Sequence, residues 1–319
     1  VILLAAVFTQ VVHVALLLAA APLAVGLVRR IKGRLVGRNG PPVRQPYRDL
    51  LRLMRKQRVL AENASLVFRA APLASFAATA AAAALVPSFT LGMASASVAD
   101  LLVIAGLLTI ARVAMALAAM DVGTAFGGIG ASREMSFSAF AEPALLLVFL
   151  TLMLLAGSTN LDLVAGLLRD GSLGLRVSLG LALIATLAVA VAENGRIPVD
   201  NPASHLELGM VHEAQILEYS GSDLALIEAT AALRLLLWFT LIAAVFIPFA
   251  IAPAGAGPVA WAIGLAAWML KTLGLAVALA VFETAIAKMR VFRVPEYLGI
   301  AVLLGLLAAV FLFVSTGFA

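Results

Sequence analysis

The chain predicts an all-α integral membrane protein, a bundle of about eight transmembrane helices with both termini on the outer side. Three observations carry that prediction. Of 319 residues, 63% are hydrophobic and only 12% charged, against about 45–50% and about 25% in a soluble domain. Apolar runs of 18 to 28 residues recur eight times, and a helix of roughly 20 residues crosses a bilayer. Lys and Arg gather in alternate connections, as the positive-inside rule requires. The alternating polarity of a membrane barrel is missing, which leaves a helical bundle.

Taken in order, the runs are Val1–Val28, Ala70–Leu91, Val98–Met120, Met135–Ala156, Leu173–Ala192, Leu224–Ala250, Val259–Phe282 and Tyr297–Val314. The first is too long for a secretory signal, and its basic segment follows rather than precedes it, so it reads as a span. The loop after it, Arg29 to Arg58, holds eleven of the 22 Lys and Arg and a single acid, Asp49. Within that loop Tyr47, Leu50, Leu51 and Met54 share one helical face, with Arg48, Arg52, Arg55 and Lys56 elsewhere. This predicts a basic amphipathic helix at the membrane surface, either a lipid anchor or a docking surface for a soluble partner. The Ala-rich stretch Ala77–Ala84 is span filling, since small residues let helices approach. Arg133, Arg196, Lys288, Arg290 and Arg293 fall in the third, fifth and seventh loops and place those loops with the first, on the cytoplasmic side. No internal repeat or linker divides the chain, so residues 1–319 read as one polytopic membrane domain.

Composition also limits function. Zero cysteines exclude thiolate-held iron–sulfur clusters and structural disulfides in this chain. Of three histidines only His13 lies in an apolar run, which leaves no facing pair for a membrane haem. Nucleic acid is not an expected partner, despite the basic balance, because the cations serve membrane topology.

Three cations nonetheless sit near the middle of predicted spans: Arg112, Arg234 and Lys271. Each costs about 2.5–3.5 kcal/mol on insertion scales and should face the bundle interior. Glu142, Glu228 and Glu283 lie in or at the ends of spans as candidate partners. Such charges can be structural ion pairs or an ion pathway; three on three different helices favour the pathway. The fifth loop adds Glu193, Asp200, Glu207, Glu213, Glu218 and Asp223 against the single Arg196. It is also rich in Leu, Met, Val and Ile, so a Pro-bounded turn and a short helix tucked against the bundle are expected. Carboxylates crowded in such a place hold protons more tightly, as a relay requires. His205 and His212 stand two helical turns apart, too far to share one ion unaided, and no zinc-protease spacing is present. No metal site and no catalytic residue is therefore assigned.

The fifth loop also carries a resemblance. Glu193-Asn194-Gly195-Arg196-Ile197-Pro198-Val199-Asp200, followed by Glu218-Tyr219-Ser220-Gly221, resembles the ENRxPFD…EYSG pattern of the complex I membrane subunit 1 (H) superfamily. Here one extra residue precedes the arginine, and Val stands for Phe. Gly130-Ala131-Ser132-Arg133 resembles that family's GALR, and Glu142 falls nine residues past the arginine, as the family's intramembrane glutamate does. Gly40-Pro41 and Gln45-Pro46 of the first loop are similar as well, and the resemblance covers the whole chain. Within the superfamily, the FETAIAKMR segment, Gly157 to Asn160, and Asp121 to Glu134 look most like the membrane subunits of formate hydrogenlyase and hydrogenase-4, in the group 4 nickel–iron hydrogenases.

The resemblance implies a membrane anchor and ion-translocation coupling subunit, non-catalytic by itself, in a redox-driven complex of a bacterial or archaeal cell membrane. Its partners would be a cytoplasmic hydrogenase-like or dehydrogenase-like arm and antiporter-like membrane subunits. The nickel–iron centre and iron–sulfur clusters would belong to those partners, with no cofactor held here. The implied proton path runs through Glu142, Glu193, Asp200, Glu207, Glu213, Glu218, Glu228, Arg112, Arg234, Lys271 and Glu283. Arm docking would use Arg196, His205, Tyr219, Arg133, Arg48 and Arg52. A complex I subunit closing a quinone cavity is the alternative, so quinone stays open as a ligand; in the hydrogenases that cavity is expected to be reduced or repurposed. A stand-alone secondary transporter would show an inverted repeat and paired broken helices, and neither is visible.

Overall fold

A computed structural model describes residues 2–171, 177–200 and 210–317. The described residues form eleven α-helices and no strand beyond two isolated bridges. Seven helices are long and apolar enough to cross a membrane. They are α1 (Ile2–Leu35), α3 (Leu66–Leu85), α4 (Leu101–Asp121), α5 (Ala125–Ala156), α9 (Gly221–Phe246), α10 (Pro258–Ala285) and α11 (Val294–Gly317). The eighth apolar helix is α7 (Val177–Glu193), with 17 described residues. Three short helices lie between them: α2 (Gln45–Met54), α6 (Leu161–Arg169) and α8 (His212–Ile216).

Local chemistry sets several boundaries away from where hydropathy alone puts them. The second span begins at Leu66, because Ser65 caps it by accepting from the Val67 amide. It stops at Leu85, two residues before Pro87, which disfavours helix in the residue ahead of it. The fourth begins ten residues earlier than hydropathy suggests, at Ala125, where Thr124 accepts from the Gly127 amide. At 32 residues it is about 48 Å long and outruns a hydrocarbon core of about 30 Å. Arg133, expected in a loop, therefore stands on the first turns of α5. Likewise α1 continues through Arg29, Arg30, Lys32 and Arg34 to Leu35. Hydropathy gave no sign of α6, whose Asn160 cap accepts from the Leu163 amide.

Hydrogen bonds tie the connections into two separate ends. At one end Ser65 bonds Asp121, Val59 bonds Ser220, Lys32 pairs with Glu283, and the Met289 amide reaches the Pro198 carbonyl. At the other, Gln10 bonds Ser95, Leu91 bonds Ala252, and Leu101 bonds Thr159. All the basic loops share the first end.

Helix α9 is the axis of the bundle. It packs against α1, α2, α3, α7 and α10, and Leu233, Leu236, Leu237, Trp238 and Leu241 are fully buried. Helices α5, α7 and α11 form one flank and α3 with α4 another, while α10 rests on α1 and α9. The surface helix α2 lies on α9, but not by the expected stripe. Pro46, Leu50 and Leu53 turn inward, whereas Leu51 and Met54 are exposed.

Candidate functional site: a charged cluster beneath a polar cavity

The two glutamates of α5, Glu134 and Glu142, are separated by about two turns and point toward α4, where Arg112 is 5% exposed. Arg112 is the hub. Its Nη1 donates to Glu142 Oε1, its Nη2 donates to Glu193 Oε1 at the end of α7, and its Nε lies 3.7 Å from Glu134 Oε1. Arg234 of α9 donates to the backbone carbonyl of Glu193 at 3.4 Å. Glu134 also faces His212, whose Nδ1 is 3.1 Å from Oε2. Burial alone would depress the His212 pKa, but the charge of Glu134 and its hydrogen bond outweigh burial. Asp200 adds to them, Arg234 opposes, and the imidazole is pushed up to about 9. With His212 charged, three carboxylates meet three cations. A balanced, hydrogen-bonded set is the condition for keeping charges away from water.

The turn after α7 explains how His212 arrives there. Gly195 has φ +54°, and a Cβ on it would sit 2.4 Å from the His212 ring. This glycine is the extra residue of the ENGRIP segment, and its missing side chain is where the imidazole fits. Gly130 does the same for the helix beyond: α8 packs on α5 so closely that a Cβ there would meet Ala214 and Gln215 at 3.0 Å. Gln215 donates to the Gly130 carbonyl at 3.2 Å, and Arg133 to that of Met210 at 2.7 Å.

Arg112, Glu134, His212 and Arg234 form the inner wall of a cavity of about 750 Å³. Its outer wall is α2 (Pro46, Leu50, Leu53), and its sides include Pro22 of α1 and Glu228 of α9. Ligand sites commonly enclose about 300–1,000 Å³, and this space falls within that range. The cluster has a second face. The Glu142 side chain is 35% exposed, and it sits on the flank of a membrane-spanning helix.

The expected path residues are distributed unevenly. Glu142, Glu193, Arg112 and Arg234 meet at the cluster. Asp200, Glu213 and Glu228 line the cavity, with Asp200 accepting from Lys288 Nζ at 2.9 Å. Glu283 is buried beside Lys32 at 2.6 Å and Arg196 at 3.5 Å. Glu218 is exposed. Lys271 is not brought to the cluster; its Nζ donates to the Phe249 carbonyl and lies over that ring at 5.5 Å. Glu207 and His205 lie outside the described residues.

Of the expected docking residues, Arg48 and Arg52 are exposed, and Arg133 and Arg196 are partly so. Tyr219 corrects the expectation. It is 4% exposed, stacked on Phe68 at 4.0 Å with its hydroxyl donating to the Phe68 carbonyl, so it locks the α9 entry against α3. Burial, with Asp223 and Asp121 adding, pushes its phenol up. Glu134 and His212 were not among the expected site residues. Two acids eight residues apart on one helix would have pointed to Glu134, had α5 been read from Ala125. Among the described residues, no group of three or more His, Asp and Glu is placed to hold a metal.

Residues 8–315 match the profile of a family described as NADH dehydrogenase. Hydrogenase-4 component C of Escherichia coli (strain K12) is 34% identical over 234 residues, 73% of this chain and 73% of that one. Formate hydrogenlyase subunit 4 of the same organism is 31% identical over 291 residues, 91% of this chain and 93% of that one. A chain of the membrane-bound sulfane sulfur reductase, an archaeal respiratory membrane complex, overlays with a TM-score of 0.80 at 19% identity, covering 95% of this chain and 98% of that one. At that identity the likeness is one of fold.

Proposed function

Because the chain belongs to the NADH dehydrogenase family, we propose that it is the membrane subunit of a redox-driven, ion-translocating complex, and that it couples a hydrogenase-like arm to neighbouring antiporter-like subunits. The basic loops face the cytoplasm in this reading. The arm, which carries the nickel–iron and iron–sulfur centres, docks over α2, with Arg48 and Arg52, and over the turn around Arg196. The observation that carries the proposal is a continuous chain of contacts, His212–Glu134–Arg112–Glu142, leading from the cavity to the flank of the bundle.

Its chemistry follows from the charges. A neutral, three-against-three set has no slack, so a proton gained or lost at the cavity wall changes the preferred ionisation of the other acids. Movement of the His212 segment under the docked arm would alter the Glu134 contact first. Arg112, shared by three carboxylates, would then redistribute its hydrogen bonds, and Glu142 would exchange a proton with the subunit that covers it. The similarity to hydrogenase-4 component C and formate hydrogenlyase subunit 4 along 73% and 91% of the chain supports the hydrogenase-like identity of the arm.

The test is Glu142→Gln in the intact complex. Its carboxylate is the most exposed of the three, so assembly and arm retention should stay at wild-type level while ion movement per turnover is lost. Unchanged coupling would remove Glu142 from the path. A second reading rests on the cavity volume: a space of about 750 Å³ accommodates a quinone headgroup, as in the complex I alternative. Organic extraction of the purified complex separates the two, because the hydrogenase-like reading expects nickel in the arm and no stoichiometric quinone.

A further inference from the structure

A second concavity lies farther along α9 from the polar cavity. Helix α10 rests on α1 and α9 and stands off from α7 and α11, which leaves an apolar cleft of about 430 Å³ between them. Its floor is α9, through Leu235, Trp238, Phe239 and Ile242. Its lips are side chains such as Ile184, Leu187 and Ile300, all more than a third exposed toward the surrounding medium. The lining runs from Ile184 on α7 to Asn194 just past its end, and from Tyr297 to Leu304 on α11, or about 10–15 Å at 1.5 Å per residue. That depth is about half of a hydrocarbon core of about 30 Å, the length of one leaflet.

The cleft is polar only at the end that bears the basic loops, where Asn194, Arg196 and Tyr297 line it. This end has surplus positive charge. Glu283 faces both Lys32 and Arg196, so one carboxylate meets two cations, and Arg29 lies within Coulombic reach of Arg196. Arg290 and Arg293 are exposed just before α11, with Phe292 between them 92% exposed. An exposed aromatic between arginines suits the headgroup level of a membrane.

We infer that this cleft holds an acyl chain of an anionic phospholipid, whose phosphate sits at the basic end against Arg196 and the Arg290–Arg293 rim. Length, polarity and charge agree on that occupant. An apolar tail spanning one leaflet fills the slot, and guanidinium groups pair with phosphate by charge-assisted hydrogen bonds. Asn194 and Arg196 also line the large polar cavity, so the bound headgroup adjoins the wall between lipid and cavity. The inference stands apart from the proposed function, since it needs neither an arm nor ion movement.

The experiment uses the full chain, purified and stripped of lipid, incubated with phosphatidylglycerol or phosphatidylcholine and weighed intact by native mass spectrometry. One phosphatidylglycerol should be retained, with a preference of about tenfold over phosphatidylcholine, the ratio that about 1.4 kcal/mol produces. Ala278→Phe fills the cleft from its exposed lip and should abolish retention, while Leu303→Phe, on the exposed surface of α11, should leave it intact. The paired change Arg290→Gln with Arg293→Gln should erase the preference for phosphatidylglycerol. Equal retention of the two lipids, retention by Ala278→Phe, or displacement by an isoprenoid quinone at equal concentration would each overturn the assignment. So would a neighbouring subunit's helix crosslinked into the cleft of the assembled complex.

Discussion

Arg112 is shared among Glu134, Glu142 and Glu193, and that sharing makes the residue harder to replace than its single charge suggests. Replacing it with leucine leaves Glu134 and Glu193, both largely buried, without this cation, and breaking a buried pair this way costs about 3–5 kcal/mol. Arg112→Leu should therefore lower the thermal unfolding midpoint of the purified chain sharply. Adding Glu193→Gln, which removes the most enclosed of the three acids, should restore part of the loss. A midpoint that moves by no more than a surface change would show that the ion pairs are not enclosed. His212 offers a check by pH rather than by mutation. Its folded pKa is raised from 6.5 to about 9, so the stabilisation it brings is fully present below about pH 6.5 and lost as pH rises through about 9. Unfolding midpoints between pH 6 and 10 should fall near pH 9 in the wild type. In His212→Gln that step should be missing.

At the scale of elements, α2 and α5 show what the sequence could and could not convey. The amphipathic character of α2 was legible from the spacing of Tyr47, Leu50, Leu51 and Met54. Which part of the stripe faces inward was not, because α9 and α1 choose Pro46, Leu50 and Leu53 by shape rather than by hydropathy. This leaves Leu51 and Met54 as apolar groups on a basic surface. Leu51→Gln should thus keep the unfolding midpoint and weaken arm retention, measured by co-purification, whereas Leu53→Gln, on the inward face of α2, should lower the midpoint measurably through lost apolar packing. The reverse ranking would mean that the helix sits with its other face inward. For α5, the segment before Met135 carries glycines at 127, 128 and 130. In the folded chain their small size serves close packing: a Cβ at Gly127 would strike the Ala119 carbonyl, and one at Gly130 would strike α8. Starting the run at Met135, where continuous apolarity begins, left out the first three turns of α5 and, with them, Glu134. Arg112, Glu142 and Arg234 stayed visible, since a charge inside an apolar run needs no tertiary information to be noticed. His212 could not be found this way. Its place depends on the turn at Gly195, which brings together residues seventeen positions apart.

At the scale of the whole molecule, the arrangement is a bundle with a polar cavity beneath α2, at the end crowded with basic loops. Hydropathy located an apolar helix at each expected run, seven of them long enough to cross a membrane and the eighth, α7, with 17 described residues, because bilayer thickness acts on each segment separately. The cavity is a property of several helices at once and left no mark on any of them. Its existence and its side of the membrane can be tested together, because the chain contains no cysteine and every introduced thiol reports alone. Ile227→Cys and Ala231→Cys line the cavity. In vesicles of known orientation both should react with a small, charged, membrane-impermeant thiol reagent added on the cytoplasmic side. Leu237→Cys, two to three turns deeper on the same helix and fully buried, should not. Labelling of α9 by a polar reagent from the side of the basic loops alone requires water to stand beside a helix that is otherwise the driest in the bundle. Reaction from the opposite side would invert the topology, and equal resistance at all three positions would mean that the space beneath α2 is closed to water, leaving the charged cluster as an ion-paired support with nothing to conduct.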